Sequence, residues 1–353
     1  MINLNILKKI KRTREEDNRN FKLGIRSDRN EKVENWPQKL FKKIFNKISN
    51  HEFTSYYNTK ELFDLENQVA KYFKIKTSNF IINHGGDGII KEFLLVNYKK
   101  NLKILINSNN YGMYKVYFKG LNIKFFEIPY KVNLAEKNLF NLDKSYLNKK
   151  IKHCDAFFFT NPNVVSNFDL IQKDIENFCK KYSKKLFFID ESYNGFGHFS
   201  FINLIKKYKN IYILRSATKS FGLASARVGF LISHQENIKS FKALQTPYPV
   251  SLFSGKCLKF FLDNKKIINS YNRSVINGRE YFCRRLEKMK YFVNNNKGLS
   301  VLINFKSKKN LNKTYENLLK KNIYTKKIQV NSYNFLRVTC APKKTMKKIL
   351  NVF

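Results

Sequence analysis

The sequence predicts an α/β protein in which a large domain surrounds a mostly parallel sheet and a smaller α+β domain follows it. From Tyr57 onward, helical patterns alternate with short apolar runs, which is the order expected of βαβ units. Runs such as 156–159 are apolar at every position, as strands covered on both faces of a parallel sheet usually are. Beyond residue 235, a long helical stretch and well-separated strands replace this alternation. The change predicts a second domain of different architecture.

Domain boundaries follow from these changes in pattern. We expect an N-terminal arm and part of the small domain at 1–55, the large domain at 56–235 and the small domain at 236–353. Residues 1–20 are polar and predict an extended or helical arm.

Each predicted element has a local signal. In the large domain, apolar residues at helical spacing predict a helix over 62–73. Apolar runs predict strands at 80–82, 103–106, 155–160, 185–189, 211–214 and 228–232. In the small domain we expect helical structure over 251–290, strands at 301–305 and around 335–339, and a final helix. Another helix is expected to end near Asn322, in the left-handed conformation that glycine usually adopts there.

The charge of the chain leaves an alternative of another class open. A formal net charge of +42 is typical of nucleic-acid-binding proteins. However, the basic residues are spread over the whole chain, beside abundant Asn, Ile, Phe and Tyr, as codons rich in A and T would produce. We therefore expect no specific nucleic-acid partner, and a basic nucleic-acid-binding protein on a retained enzyme fold stays the alternative.

The composition argues against a membrane protein and a secreted protein. No apolar run approaches the roughly 20 residues that span a bilayer, and no signal peptide is recognisable. The five cysteines form no CxxC pair and have no histidine at metal-ligand spacing, so we expect buried free thiols and no metal. A cytoplasmic location fits these features.

The segment 215–230 carries the most informative functional signal. It places Lys219 in a turn rich in Gly, Ala, Ser and Thr, with a second cation at Arg227, and an apolar strand upstream ends in Asp190. A buried lysine that forms a Schiff base needs an anion-binding cradle beside it and a carboxylate opposite. This set suits pyridoxal phosphate, whose ring nitrogen must stay protonated. Taken singly, these residues could be a solvated lysine, a helix cap and turn residues, but their combination favours the cofactor.

Further segments point to the same site. Residues 83–92 place Gly-Gly-Asp-Gly after a strand and before an apolar helix, where backbone N–H groups bind anions. Residues 110–114 read Asn-Tyr-Gly-Met-Tyr, and residues 161–167 read Asn-Pro-Asn-Val-Val-Ser-Asn. Arg337 offers a planar guanidinium that suits a carboxylate, although surface arginines are common in so basic a chain.

Together these segments resemble the fold-type I, class I/II aminotransferases, and most of all the histidinol-phosphate aminotransferase branch, whose relatives include threonine-phosphate decarboxylase. The resemblance extends from Ser27 to the C-terminus, and 28–31 resemble a segment that folds over the site in relatives. It implies the pyridoxal-phosphate-transferase fold with a seven-stranded type of sheet, pyridoxal phosphate as cofactor and a homodimer. The implied reaction moves an amino group between an amino acid or amino-phosphate compound and an oxo acid, through a Schiff base on Lys219.

The resemblance also implies roles for individual residues. Lys219 would carry the cofactor and shuttle the substrate Cα proton, Asp190 would pair with the ring nitrogen, and Tyr193 would hydrogen-bond the ring 3′-oxygen. Tyr111 would stack on the ring, and Tyr57 would reach the phosphate bound by the neighbouring subunit. The cofactor phosphate is expected to contact Gly85, Gly86, Asp87, Ser216, Thr218 and Arg227.

On the substrate side, the resemblance assigns binding of the substrate carboxylate to Arg337. Two residues of this chain differ from those of the relatives. Val164 stands where relatives have the asparagine that binds the 3′-oxygen, so Asn163 is expected to substitute or Tyr193 to act alone. Lys326 stands where relatives often have arginine. The Val164 departure keeps a decarboxylase of the threonine-phosphate decarboxylase type open, because the sequence does not reveal which Cα bond lies perpendicular to the ring.

Overall fold

The computed structural model describes residues 8, 19–46, 48–134, 136, 139–165, 170–197, 199–294 and 298–353. Most of the arm expected over 1–20, and two residues of the 161–167 motif, lie outside these residues. The strands are β1 (Ile25–Arg26), β2 (Phe80–His84), β3 (Lys103–Asn107), β4 (Lys124–Ile128), β5 (Tyr130–Val132), β6 (Phe140–Leu142), β7 (Ala156–Thr160), β8 (Leu186–Asp190), β9 (Ile211–Ser216), β10 (Val228–Ser233), β11 (Phe292–Asn294), β12 (Ser300–Asn304), β13 (Ile323–Tyr324), β14 (Lys326–Val330) and β15 (Tyr333–Thr339). The helices are α1 (Gln38–Phe45), α2 (Asn50–Thr54), α3 (Thr59–Phe73), α4 (Gly85–Val96), α5 (Gly112–Gly120), α6 (Lys144–Ile151), α7 (Gln172–Lys181), α8 (Gln235–Leu244), α9 (Leu252–Asp263), α10 (Lys265–Lys288), α11 (Lys308–Lys320) and α12 (Lys343–Leu350). Short 3₁₀ turns span Thr77–Asn79 and Ile202–Lys206.

A seven-stranded sheet in the order β2-β10-β9-β8-β7-β3-β4 forms the centre of the larger lobe. The pairs from β9 to β4 are parallel, whereas β10 runs antiparallel to both of its neighbours. The expected α/β fold with a mostly parallel sheet of this size is therefore confirmed. The reversed strand is the one that follows the Lys219 turn.

Uniformly apolar strands explain why this sheet is central. β7 and β10 are buried at every position. Phe158 and Phe188 stack across neighbouring strands with ring centroids 4.7 Å apart, and Phe93 of α4 packs on Phe188 at the same separation. Each fully buried phenylalanine contributes roughly 1.5–3 kcal/mol through the hydrophobic effect. Because the strands are held by these contacts, the polar side chains at their carboxyl ends have fixed positions at the edge where open α/β sheets bind ligands.

The smaller lobe contains a four-stranded antiparallel sheet in the order β11-β12-β15-β14. Helix α10 packs closely on the backbone after β15, since a Cβ on Gly278 would lie 1.9 Å from the Ala341 carbonyl oxygen. The helical stretch expected over 251–290 is two helices, because the chain turns at Asn264 between α9 and α10 (φ −111°, ψ 46°). Asn322 has φ 56°, so its expected left-handed conformation is confirmed.

The N-terminal segment packs against both the small sheet and the Lys219 turn. β1 pairs in parallel with β13, and the Thr339 N–H donates to the Ser27 carbonyl oxygen (2.9 Å). Farther along, a Cβ on Gly222 would meet the Lys32 side chain at 2.6 Å. Residues 27–32 therefore lie beside the carboxyl ends of the large-sheet strands.

The structure also bears on two expectations from the composition, which concern membrane-spanning helices and cysteines. Among the described helices, none combines the length and the apolar character that crossing a membrane requires. All five cysteines are buried and free, as expected.

Candidate active site

Lys219 lies in a tight turn between β9 and β10. The Gly222 N–H donates to the Lys219 carbonyl oxygen (3.1 Å), and the Leu223 N–H donates to the Ala217 carbonyl oxygen (3.2 Å). Gly222 has φ 63°, a conformation that favours glycine. These bonds fix the backbone of the turn, so the lysine side chain starts from a defined position at the edge of the sheet.

The Lys219 amine is buried among charges of both signs. Burial is the main reason that its pKa falls from 10.5 to about 8. The cations of Arg337 and Arg227 add to this lowering, whereas the anions of Glu31 and Asp190 oppose it. A substantial fraction of the amine is therefore neutral near pH 8, and only the neutral form is a nucleophile.

Asp190 ends β8 and is 4% exposed. Its Oδ1 accepts a hydrogen bond from the Ser192 N–H (2.8 Å), and its Oδ2 accepts one from the Tyr114 hydroxyl (2.8 Å). Burial raises the pKa of Asp190, while these hydrogen bonds and the Lys219 charge oppose the rise. A carboxylate so deeply buried and so firmly oriented is suited to a cationic partner, such as a protonated ring nitrogen.

The neighbouring Glu191 serves a different purpose. Its Oε2 lies 3.3 Å from Arg215 Nη1, and its Oε1 accepts a hydrogen bond from the Phe201 N–H (2.6 Å). Burial raises the pKa of Glu191, with the Arg215 charge as the leading opposing influence. The pair joins the end of β8 to β9, so of these two adjacent carboxylates Asp190 is the one whose charge acts on Lys219.

The start of α4 forms a cradle with Arg227. Gly85, Gly86 and Asp87 are the first turn of this helix, where N–H groups have no partner within the helix and attract anions. Gly85 has φ 67°, and a Cβ there would lie 2.9 Å from Arg227 Nη2. The absence of a side chain at Gly85 therefore lets the guanidinium lie against the helix start.

Two hydroxyl side chains line the turn beside this cradle. Ser216 and Thr218 are 9% and 8% exposed, and the Ser216 Oγ accepts a hydrogen bond from the Thr218 N–H (3.1 Å). A helix start, a guanidinium and nearby hydroxyls are the groups that bind a phosphate dianion well. The residues present thus fit the phosphate end of pyridoxal phosphate, as the carboxylate of Asp190 fits its ring nitrogen.

Asp87 collects three donors at this end of the site. Its Oδ2 accepts from Arg227 Nη2 (2.9 Å), and its Oδ1 accepts from the hydroxyls of Tyr111 (3.0 Å) and Tyr117 (3.1 Å). Burial is the largest cause that raises the pKa of Tyr111, and the Asp87 charge adds to it. Tyr111, which was expected to stack on the cofactor ring, is 44% exposed.

Tyr193 and Arg337 lie on the side of the site formed with the N-terminal segment. The Tyr193 ring centroid is 5.8 Å from Lys219 Nζ, and its hydroxyl oxygen accepts a hydrogen bond from Asn30 Nδ2 (3.3 Å). Arg337 Nη2 donates to the Asp28 carbonyl oxygen, whereas the buried Nε has no hydrogen-bond partner within the described part of the chain. An N–H group in this state suits an anionic group of a substrate.

Tyr57 and Asn163 are the two remaining predicted site residues, and each has its own local surroundings. Tyr57 lines a cavity of about 740 Å³ between α1, α3 and α9, and none of the other predicted site residues lines that cavity. Its buried hydroxyl has no hydrogen-bond partner among the described residues. Asn163 is buried, and its Oδ1 accepts from the Val165 N–H (2.8 Å) in a local turn.

Sequence reasoning missed two contacts that matter to the site. Tyr114 belongs to the Asn-Tyr-Gly-Met-Tyr segment but was given no role, and its three-residue spacing from Tyr111 and Tyr117 on α5 was the available signal. The contact of Asn30 with Tyr193 had no local signal, because 163 residues separate the two in the chain.

The chain is similar to known aminotransferases over nearly its whole length. The model of the family "Aminotransferase class I and II" matches residues 22–353. A histidinol-phosphate aminotransferase of Clostridium novyi is 28% identical over 360 residues, covering 98% of this chain and 95% of that protein. One of Thermotoga neapolitana is 26% identical over 324 residues and covers 90% of each.

Solved structures agree on the fold. A histidinol-phosphate aminotransferase from Sinorhizobium meliloti, solved in complex with pyridoxal-5′-phosphate, superposes with a TM-score of 0.81 at 16% identity, covering 94% of this chain and 90% of that one. L-threonine-O-3-phosphate decarboxylase from Porphyromonas gingivalis gives 0.77 at 15% identity, with coverage of 93% and 98%. At these identities the likeness concerns the fold alone. With the family match, it confirms the expected identification: the chain belongs to the aminotransferase class I and II family and is a pyridoxal phosphate-dependent aminotransferase.

Proposed function

We propose that this enzyme moves an amino group between an amino acid or amino-phosphate compound and an oxo acid, with Lys219 as the residue that carries the cofactor. The observation that carries the proposal is the state of Lys219. Its amine is buried, its pKa is lowered to about 8, and the carboxylates of Glu31 and Asp190 and two guanidinium groups act on it. Few structural lysines combine these properties.

The contacts described above support a division of labour. Arg227, the start of α4, Ser216 and Thr218 would hold the phosphate, and Asp190 would face the ring nitrogen. Bound in this way, pyridoxal phosphate would supply an electron sink for the bonds at the substrate Cα. Tyr114 and Ser192 keep the Asp190 carboxylate in one orientation, so its negative charge acts where it is needed without reorganisation.

Lys219 would also act as the proton carrier at the substrate Cα. A base is most effective when its pKa lies near the working pH, and burial brings the pKa of Lys219 to about 8. Its Nζ would remove the Cα proton and return a proton to the cofactor side, which is the sequence of events in transamination.

Two cationic residues on the sheet of the smaller lobe support the proposal that the substrate is anionic. Lys326 and Arg337 are directly opposed residues of the antiparallel strands β14 and β15, so their side chains lie on the same face of the sheet. The Arg337 Nε is buried without a described partner, whereas Lys326 is exposed. One buried and one exposed cation on this face favour binding of a carboxylate or phosphate group. This agrees with the names of the relatives, which include a phosphorylated substrate.

A homodimer is proposed because Tyr57 lines a cavity that contains no other predicted site residue of its own chain, and its buried hydroxyl has no partner among the described residues. The surface around it exposes aromatic side chains that one subunit leaves uncovered: Phe41, Phe45, Phe53, Tyr56 and Phe63. We propose that a second copy covers them and receives the Tyr57 hydroxyl at its phosphate cradle. The five free, buried thiols fit work in the reducing cytoplasm.

The test is to load the purified protein with pyridoxal phosphate, remove unbound cofactor and record the visible spectrum. Wild type should retain one cofactor per chain, and Lys219→Ala should retain none in covalent form. Lys32→Met is the matched control, because burial also lowers the pKa of Lys32 to about 8. A covalent cofactor that persists in Lys219→Ala and disappears in Lys32→Met would overturn the assignment.

Single amino compounds are then added to the loaded enzyme, with the oxo product and carbon dioxide measured together. Formation of oxo product and of the amino form of the cofactor supports transamination. Release of carbon dioxide with no oxo product would replace the proposal with a decarboxylase. For the dimer, mixing Lys219→Ala with Tyr57→Phe should restore activity, since mixed dimers would contain one site with both residues intact.

A further inference from the structure

Thr339 and Asn30 form a closed pair of hydrogen bonds behind Tyr193. The Thr339 Oγ1 accepts from the Asn30 backbone N–H (3.1 Å) and donates to the Asn30 side-chain Oδ1 (3.0 Å). Both residues are buried, at 0% and 2% exposure. Asn30 has φ 54°, a left-handed conformation that asparagine tolerates better than most residues.

This pair determines which way the Asn30 amide points. A hydroxyl has one proton, and the Thr339 oxygen already accepts the backbone N–H, so its proton is available for Asn30 Oδ1. With Oδ1 engaged there, the NH₂ group occupies the other branch of the amide, 3.3 Å from the Tyr193 hydroxyl oxygen. Thr339 thus fixes the amide as a donor to Tyr193.

Because the Tyr193 hydroxyl oxygen accepts a hydrogen bond from Asn30, the hydroxyl proton of Tyr193 points in another direction. No described residue accepts the Tyr193 proton, and the Tyr193 ring lies 5.8 Å from Lys219 Nζ. The charged groups that act on this part of the site are Asp190, Lys219 and Arg227 from the large lobe, Arg337 from the small lobe and Glu31 from the N-terminal segment. The hydroxyl proton of Tyr193 is therefore available to an acceptor within the site.

We propose that Asn30 is a positioning residue, held by Thr339, which keeps the Tyr193 hydroxyl a donor to the ring oxygen of the cofactor. The inference rests on the proposed function and deepens it, because Val164 removes the other donor that the resemblance leads one to expect there. Without that donor, Tyr193 would carry more of the contact with that oxygen, so the direction of its proton matters more.

Thr339→Val tests the proposal without adding charge, and Thr339→Ser is the matched control that keeps the hydroxyl. In the cofactor-loaded enzyme, the measured quantity is the pH midpoint of the visible absorbance change. A donor stabilises the negative ring oxygen most after Lys219 Nζ has lost its proton, so a weaker donor raises the midpoint. We expect Thr339→Val to raise it by up to about one pH unit, Tyr193→Phe by more, and Thr339→Ser to leave it unchanged.

A double-mutant cycle separates this role from a general structural effect. In a Tyr193→Phe background, Thr339→Val should cause no further shift, because Asn30 would act only through the Tyr193 hydroxyl. An equal shift in both backgrounds, or the same midpoint for Thr339→Val and Thr339→Ser, would overturn the proposal.

A second readout needs no cofactor. The ionisation of Tyr193 is obtained from the tyrosinate absorbance of each cofactor-free protein minus that of its Tyr193→Phe counterpart. The Asn30 donor favours the ionised phenol, so Thr339→Val should raise the pKa of Tyr193 and Thr339→Ser should not. If wild type binds no cofactor, the proposed function fails while this titration still decides whether Asn30 controls Tyr193.

Discussion

Two aspartates at opposite ends of the candidate site have similar partners and different surroundings. Asp190 accepts a hydrogen bond from Tyr114, and Asp87 accepts hydrogen bonds from Tyr111 and Tyr117. These tyrosines follow one another at three-residue spacing along α5 and its N-terminal cap. The difference is burial: Asp190 is 4% exposed, whereas the Asp87 side chain is 30% exposed and its ion-pair partner Arg227 is 48% exposed.

Burial decides what each carboxylate can do. Coulomb interactions strengthen as water is excluded, so Asp190 can strongly favour a positive charge on a bound ring. Asp87 and Arg227 are hydrated, and an exposed ion pair contributes only about 0.2–1 kcal/mol. We therefore expect Asp190 to supply a catalytic charge, and Asp87 mainly to arrange its neighbours and to compete with the cofactor phosphate for Arg227.

The largest expected effect is that of Asp190→Asn. The neutral amide no longer favours a protonated ring nitrogen, and its NH₂ group faces a donor at Tyr114. We expect kcat/KM for transamination to fall by about 10²–10³-fold, as for loss of other preorganised charges. Steady-state kinetics with saturating cofactor would check this. A loss below tenfold would remove the distinction between the two aspartates.

The next effect concerns the pH at which the cofactor binds covalently. The pKa of Lys219 is lowered to about 8, so the neutral amine increases with pH up to that value and is nearly constant above it. The rate of covalent binding should rise about tenfold per pH unit below pH 8 and then level off. Stopped-flow absorbance would measure it, with a free lysine derivative as control, whose rate keeps rising to about pH 10.4.

In the same experiment, the direction in which Asp190→Asn moves the levelling pH tests the charge of Asp190. The Asp190 charge raises the pKa of Lys219 and thus opposes the effect of burial. Removing that charge in Asp190→Asn should move the levelling point to lower pH. A shift to higher pH would contradict the assignment of Asp190 as an anion beside Lys219.

The central strands were predictable because they contain apolar runs, and so was the edge strand β2, which begins with Phe-Ile-Ile, whereas edge strands of mixed composition were not. β7 and β8 lie between other strands, and the runs 155–160 and 185–189 predicted them. β4 and β14 lie at sheet edges and mix charged with apolar residues, so they gave no run to detect. Strands of mixed composition, which occur at sheet edges that are partly exposed, therefore limited what local patterns could show.

The residues of the site likewise divide into those that a local motif predicted and those whose contacts no local motif predicted. Lys219 and Arg227 were recognisable from the motif of one local segment, and Asp190 from that of another. The contact of Tyr114 with Asp190 spans 76 residues, and that of Asn30 with Tyr193 spans 163. Such contacts depend on how the lobes and strands pack, so spacing along the chain does not encode them. The roles assigned to the site residues and the domain boundaries at 56–235 and 236–353 stay predictions.

A smaller effect is expected from Tyr114→Phe. The substitution removes one hydrogen bond to a buried carboxylate, and such bonds to charged groups contribute about 1.5–3 kcal/mol. We expect a loss of about tenfold in kcat/KM and a higher pKa for Asp190, because the Tyr114 hydrogen bond opposes the effect of burial. Tyr117→Phe is the matched control, since its partner is the hydrated Asp87. Equal losses in the two variants would show that burial does not separate the aspartates.

The smallest effect, and one of opposite sign, is expected from Asp87→Asn. The amide oxygen can still accept from Tyr111 and Tyr117, but the ion pair with Arg227 is lost. Arg227 is then available to the phosphate, and a negative charge beside the phosphate is gone. Cofactor affinity should therefore improve by up to about fivefold, which is the range of an exposed ion pair. Equilibrium dialysis at about 50 mM and about 500 mM salt would measure the gain, and screening should reduce it at the higher salt. Weaker binding at both salt concentrations would mean that the Asp87 carboxylate helps to build the phosphate cradle, and the two aspartates would then differ in position but not in the sign of their contribution.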